Sequence, residues 1–369
     1  MSANAFNIPC LDLTRQNQSV KAEIFEQFEL VFNENAFAGG KYVEQFENSF
    51  ASFVGTKYAI GVSNGTIALH LAMLALGIGT GDEVIVPANT FIATAWGVSH
   101  AGATPVFVDC DADTWEIAAD KIEAAITPKT KAVIGVHLYG QPFDVDAVQA
   151  ICDKHKLHLI EDAAQAQGST YKGKQCGSLA SIATFSFYPG KNLGACGEAG
   201  GITTNNEAYD TQIRSLRNHG MKVRYYHDEI GYNYRMGGLE GASLSVKLKH
   251  LPSWNEKRRA IANRYHTEIT NPKIKMQVQP EWANSNYHLF VVTTEDRDGF
   301  LEFLKQHGIN GALHYPVPCH LQKAYEHLGY KEGDFPNSEY LASHCVSLPM
   351  FAELTQEELE HTIKIVNQY

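Results

Sequence analysis

Ser181-Ile182-Ala183-Thr184-Phe185-Ser186-Phe187-Tyr188-Pro189-Gly190-Lys191-Asn192-Leu193-Gly194 is the stretch that decides how this chain is read. Its first part is a short β-like run. Its second part is a turn punctuated by Pro189, Gly190 and Gly194 that carries one lysine. Open α/β sheets place their reacting groups in such turns, just past the carboxyl ends of strands. An amine held beside an apolar strand end has its charged form disfavoured, so its neutral form can attack a carbonyl or an aldehyde cofactor. Lys191 is therefore a candidate Schiff-base residue. The alternative is an ordinary solvated loop lysine, and what lies upstream decides between them.

Up to about residue 205, strand-like runs (58–61, 84–86, 104–108, 132–136, 157–160 and 183–187) alternate with helix-like ones, 67–76 and 145–155 among them. This β-α-β rhythm predicts an α/β fold with a mostly parallel central sheet covered by helices on both faces. The rhythm changes near Leu239. Two helical segments are expected there, 239–251 and 254–270, separated by Pro252-Ser253 with Ser253 as N-cap. A strand-like run at 289–292 and helices at 297–307 and 355–368 follow. The expected organisation is a large αβα domain over 1–247 and a smaller C-terminal α+β domain over 248–369.

Composition narrows the function classes. The 369 residues are 44% apolar and 19% charged, which suits a globular protein and not a disordered one. The N-terminal Met1-Ser2-Ala3-Asn4-Ala5-Phe6 has no basic leader followed by an apolar core, and no run approaches about 18 apolar residues, so a cytoplasmic protein without a membrane span is expected. Seven scattered cysteines without a C-x-x-C pair support neither a disulfide framework nor a structural metal site. A net charge of −11 speaks against a nucleic-acid surface, so any anionic ligand needs a local site.

Three further stretches combine with Lys191. Ser63-Asn64-Gly65-Thr66 lies between a strand and a helix, where backbone N–H groups and the helix dipole favour a phosphate; simple helix capping is the alternative. Leu157-His158-Leu159-Ile160-Glu161-Asp162 is a strand ending in two carboxylates, of which only one can face a given site because side chains alternate. A carboxylate there can hold a ring nitrogen protonated, or it can simply cap the next turn. Phe91 follows another strand and is placed either to lie on a planar ring or to join the core. By contrast, Gly77-Ile78-Gly79-Thr80-Gly81 follows a helix and misses the dinucleotide spacing, so it reads as a helix C-cap.

Taken together, Gly65-Thr66, Thr90-Phe91, Glu161-Asp162-x-x-Gln165, Ser186-Phe187-x-Pro189-x-Lys191 and Gly231-Tyr232-Asn233-Tyr234-Arg235-Met236 resemble the DegT/DnrJ/StrS-type sugar-nucleotide aminotransferases. The likeness extends over nearly the whole chain, through Phe46-Glu47, Arg258-Arg259, Tyr287-His288-Leu289-Phe290 and His314-Tyr315-Pro316. The resemblance implies a fold-type-I enzyme dependent on pyridoxal 5'-phosphate, cycling through its pyridoxamine form, and working as a homodimer with shared active sites. It implies Lys191 as the cofactor-linked lysine and proton carrier, and Asp162 as partner of the pyridine nitrogen. Gln165 would lie near the ring hydroxyl and Phe91 on the ring, with Gly65, Thr66 and Ser186 on the phosphate and Asn233 reaching the neighbouring subunit's cofactor.

The implied substrates are glutamate and a nucleotide-linked keto-sugar. Lys222-Val223-Arg224-Tyr225-Tyr226-His227 resembles members acting on dTDP-3-keto-6-deoxyhexoses, which points to amination at C3, with C4 amination as the alternative. Tyr188, Arg224, Tyr226, His314 and His320 are the substrate-contact candidates. A cofactor-binding regulatory protein without turnover is the alternative from another class; it predicts damage to Lys191 or Asp162, and both residues are intact. The chain departs from the family pattern at Gly237-Gly238-Leu239-Glu240-Gly241, which puts the start of the helix there in question.

Overall fold

The computed structural model describes residues 6–369. The expectation drawn from Met1 to Ala5 lies outside them. Strands β1 (Tyr58–Val62), β2 (Glu83–Pro87), β3 (Thr104–Val108), β4 (Thr130–Val136), β5 (His158–Asp162), β6 (Ile182–Ser186) and β7 (Gly200–Thr204) form one sheet in the order β1-β7-β6-β5-β4-β2-β3. The β6-β5-β4-β2-β3 neighbours are parallel, whereas β7 runs antiparallel to both β1 and β6. The sheet is thus α/β and mostly parallel, as the rhythm implied.

Among the described residues, ten helices of eight or more residues accompany the sheet. They are α1 (Leu13–Asn33), α2 (Lys41–Val54), α3 (Gly65–Ala75), α4 (Ala93–His100), α5 (Val145–His155), α6 (Glu207–Leu216), α7 (Gly238–Glu268), α8 (Arg297–Gln306), α9 (Pro336–His344) and α10 (Gln356–Gln368). The α2 face carrying Phe46 and Phe50 packs edge-on against Phe185 and Phe187 of the Lys191 stretch, with ring centroids 4.9–5.2 Å apart. Aromatic contacts of this kind stabilise beyond the area they bury, so the strand leading to Lys191 is clamped from one side. The glycine stretch after α3 ends that helix as expected: Gly77 adopts a left-handed φ of 69°, and the N–H of Ile78 returns to the Met73 carbonyl at 3.0 Å.

One expectation fails. Pro252 does not divide two helices: α7 is a single helix of 31 residues with Pro252 inside it. Pro252 and Ser253 are exposed, while Leu248, Leu251, Trp254 and Asn255 on either side are buried. Packing of this buried stripe, with α1 and α2 alongside, outweighs the local hydrogen bond that proline removes. The questioned glycines have a role in that packing. A Cβ on Gly238 would lie 1.8 Å from the Ala36 carbonyl oxygen, and one on Gly241 would lie 2.9 Å from Val43 Cα, so the start of α7 meets the 36–43 segment backbone to backbone.

The C-terminal part builds its own core around a small antiparallel sheet. Strands β8 (Phe290–Thr293) and β9 (Cys345–Leu348) pair there, with Phe300, Leu304, Ile363 and Val366 packed on them. We propose to keep the two-domain division at 247/248, although α7 runs through that boundary and belongs to both units. No helix among the described residues is long and apolar enough to cross a membrane.

Candidate active site

The carboxyl ends of β5 and β6 lie side by side, with Asp162 opposite Thr184. Beyond β6 the chain turns tightly. The Lys191 N–H donates to the Tyr188 carbonyl at 2.8 Å, and the Ala195 N–H to that of Phe187 at 2.8 Å. Gly194 is required here, since a Cβ would stand 2.3 Å from the Pro189 carbonyl oxygen. Lys191 is half-buried, and among the described residues its amine has no hydrogen-bond partner. Burial pushes its pKa down to about 8, with the charge of Asp162 opposing. A lysine in this position is partly neutral near physiological pH.

The two carboxylates of β5 separate as strand alternation demands. Glu161 is fully buried and accepts from the N–H groups of Gly177 (2.6 Å), Leu179 (2.7 Å) and Ala180 (2.8 Å), with His137 Nε2 3.0 Å away. It fastens the loop ahead of β6. Asp162 faces the opposite side, accepting from Thr94 Oγ1 at 2.8 Å and from the Ala164 N–H at 3.1 Å. Burial raises its pKa against the opposing pull of those two hydrogen bonds and of the Lys191 charge. A proton shared with this carboxylate is therefore held firmly.

At the start of α3, the Asn64 side chain accepts from the Ile67 N–H at 3.0 Å. Among the described residues, the N–H groups of Gly65 and Thr66 meet no protein acceptor. Three chain segments crowd this point. A Cβ on Gly65 would be 2.8 Å from Ser186 Cβ, and one on Gly200 would be 2.3 Å from the Asn64 carbonyl carbon. The result is a cradle of unpaired N–H groups at a helix N-terminus beside the Ser186 hydroxyl, which suits a phosphate.

Gln165 is buried, with its Oε1 accepting from the Tyr139 N–H at 2.6 Å and its Nε2 donating to the Tyr315 hydroxyl at 3.1 Å. Phe91 stands exposed, its ring 5.3 Å from that of Tyr315. His314 bonds Ser347 Oγ through Nδ1 at 2.7 Å, and burial, followed by the charge of Lys191, lowers its pKa to about 4. Lys191, Asp162, Gln165, Phe91, Gly65, Thr66, Ser186 and His314 thus belong to one end of the sheet.

The other candidates are placed differently. Tyr188 is exposed beside Lys191 in sequence. Asn233 is also exposed and accepts from Arg235 at 2.7 Å; its neighbour Tyr234 takes the Ser63 N–H at 3.0 Å, next to the cradle. Arg224 and Tyr226 lie on an exposed hairpin of Met221–Val223 and Tyr226–His227, where the Arg224 guanidinium stacks over Tyr225 at 4.9 Å. Neither is brought to Lys191 within this chain.

His320 is a correction. It is buried, with Nε2 3.1 Å from Glu339 and its ring edge-on to Phe335, so it packs the interior and does not face the site. Sequence reasoning also passed over three residues that the site uses. Thr94 holds Asp162, Tyr315 holds Gln165, and Gly200 closes the cradle; Tyr315 stood within a quoted motif, but only its neighbour His314 was assigned a role.

Residues 18–367 match the DegT/DnrJ/EryC1/StrS aminotransferase family. The chain is 43% identical over 366 residues to a pleiotropic regulatory protein of Geobacillus stearothermophilus, covering 98% of each chain. It is 44% identical over 362 residues to a dTDP-3-amino-3,6-dideoxy-alpha-D-galactopyranose transaminase of Aneurinibacillus thermoaerophilus, covering 98% of this chain and 99% of that one. Among solved structures it resembles S. venezuelae DesV in complex with a ketimine intermediate, with a TM-score of 0.97 at 40% identity and 98% of each chain covered. The chain belongs to the DegT/DnrJ/EryC1/StrS aminotransferase family.

Proposed function

We propose that this family member is a pyridoxal-phosphate-dependent transaminase that aminates carbon 3 of a dTDP-linked 3-keto-6-deoxyhexose, with glutamate as donor. The observation that carries the reading is the half-buried, partly neutral Lys191 amine, set at the same strand ends as buried Asp162 and beside the Gly65–Ser186 cradle. The dTDP-sugar transaminase at 44% identity supports the substrate class.

The residues present fit the cofactor. Unpaired N–H groups of Gly65 and Thr66 with the Ser186 hydroxyl suit its phosphate, Asp162 its pyridine nitrogen, and Lys191 its aldehyde. Gln165 lies in reach of the ring substituents, and Phe91 offers a face for stacking. When bound, pyridoxal phosphate supplies an electron sink that makes a proton on the adjacent substrate carbon removable. Asp162, steadied by Thr94, would hold the ring nitrogen protonated. Lys191 would take the proton from the substrate carbon as a neutral amine and return it from the ammonium, which a pKa near 8 allows in both directions. Tyr188 and His314 border the Lys191 turn and are proposed to contact the sugar.

The proposal includes a homodimer in the cytoplasm. Asn233 and the Arg224–Tyr226 hairpin are exposed on their own chain, which suits residues that complete a partner's site. The test is a separated half-reaction: convert the cofactor-loaded protein to its pyridoxamine form with glutamate, then offer dTDP-linked 3-keto and 4-keto 6-deoxysugars separately. Return of the starting absorbance with the 3-keto sugar alone is expected. Return with the 4-keto sugar alone would move the reaction to C4. Cofactor binding with no turnover of either sugar would favour the regulatory alternative that the Geobacillus relative's name raises.

A further inference from the structure

A buried chain of amides runs beside the Lys191 turn. Asn255 Nδ2 donates to the Gln167 carbonyl at 2.8 Å, which leaves Asn255 Oδ1 to accept from Asn192 Nδ2 at 2.9 Å. Asn192 Nδ2 also donates to the Asn286 carbonyl at 3.1 Å. Backbone carbonyls can only accept, so the amide orientations are fixed along the chain. Asn192 must then turn its oxygen to His288, whose Nδ1 lies 3.1 Å away. His288 accordingly carries its proton on Nδ1, and its Nε2 is left as a bare acceptor.

Among the described residues that Nε2 has no partner, and it is not among the atoms sealed from solvent; the same is true of the Lys191 amine. The His288 backbone is held as well, with its N–H on Asn286 Oδ1 at 3.0 Å and its carbonyl oxygen 3.3 Å from Arg258. Burial, and then the charges of Lys191 and Arg258, keep the imidazole neutral, with the His314 ring acting in the same direction. Nothing in the catalytic reading given above uses this acceptor.

We propose that His288 is a positioning residue for Lys191, its Nε2 accepting a hydrogen bond from the Lys191 ammonium in the tautomer dictated by Asn192, Asn255 and the Gln167 carbonyl. The contact orients the amine while it holds the proton it has taken. This rests on the transaminase reading of Lys191, and the test separates the two. His288→Asn keeps a donor at the Nδ1 position and removes the Nε2 acceptor.

In the full chain freed of cofactor, the Lys191 amine is titrated by the pH dependence of its reductive methylation, followed by mass spectrometry. Losing an acceptor from the ammonium is expected to lower the midpoint by about half a unit to one unit. In the loaded enzyme, the glutamate half-reaction is expected to slow roughly tenfold with KM nearly unchanged. An unchanged midpoint, or a raised one, overturns the proposal, the latter because it would mean a cationic His288. If His288→Asn fails to fold, His288→Gln decides. Its Oε1 reaches the Nε2 position and is expected to keep the wild-type midpoint, so a lowered midpoint there overturns the proposal. A chain that binds no pyridoxal phosphate would defeat the transaminase reading while leaving the methylation comparison to judge His288.

Discussion

Replacing Gly65 by alanine would set a methyl carbon 2.8 Å from Ser186 Cβ and 3.1 Å from Ser186 Cα. Non-bonded carbons settle at roughly 3.5–4.0 Å, so the start of α3 and the end of β6 would have to part by about 0.5–1 Å. Those two segments carry the unpaired N–H groups and the hydroxyl of the proposed phosphate cradle. Hydrogen bonds to a charged group are worth about 1.5–3 kcal/mol each, and losing the alignment of one predicts a cofactor Kd about 10- to 100-fold weaker. Folding should suffer less, because alanine is the better helix former by up to about 1 kcal/mol. Absorbance titration of the cofactor-free protein with pyridoxal phosphate measures the first quantity and thermal unfolding the second. Wild-type affinity in Gly65→Ala would refute the cradle. A parallel collapse of Tm would assign the glycine to packing alone.

Asp162→Asn should still bind the cofactor but slow the glutamate half-reaction by about 100-fold or more, because an amide cannot hold the ring nitrogen protonated; single-turnover absorbance decides, and an unchanged rate removes Asp162 from the site. Lys191 has a folded pKa of about 8, below its unfolded value, so its burial penalty is present in full below pH 8 and fades as pH rises towards that of a free lysine. Cofactor-free Lys191→Met should therefore be more stable than wild type at pH 7, with the advantage shrinking between pH 8 and about 10.4 in denaturant titrations, and a pH-independent difference would contradict the shift. Glu161→Gln would turn an amide NH2 towards the N–H groups of Gly177, Leu179 and Ala180, or leave some of them unpaired. It is expected to cost about 2–4 kcal/mol of stability, and a Tm within 2 °C or so of wild type would show that the loop is held by other contacts.

The rhythm of short apolar strands and intervening helices was legible because each parallel strand is buried on both faces and so reads as an apolar run. The alternation rule likewise anticipated that Glu161 and Asp162 would part company. It could not say which faced the site, since that depends on where β6 and α4 settle. Strand β7 escaped notice because Gly200-Gly201 carries no β preference; Gly200 is there to let Asn64 approach. Pro252 misled because a local breaking signal was weighed without the buried stripe on either side of it. Thr94 and Tyr315 reach Asp162 and Gln165 across 68 and 150 residues of sequence, and no local pattern announces such pairings. His320 was a histidine in a promising segment that Glu339, later in the chain, draws inward.

His314 is tied to Ser347 in β9, and the chain just past β9 is tied in turn to the N-terminal segment, with the Met350 N–H on the Cys10 carbonyl at 3.0 Å. During synthesis the sheet strands, the Lys191 turn and the start of α3 would all leave the ribosome well before that contact can form. Emergence of the chain through Ser347 is thus a precondition for holding the His314 ring in place. A nascent chain stalled ahead of Ser347 would carry the Lys191 turn without the contact that fixes His314.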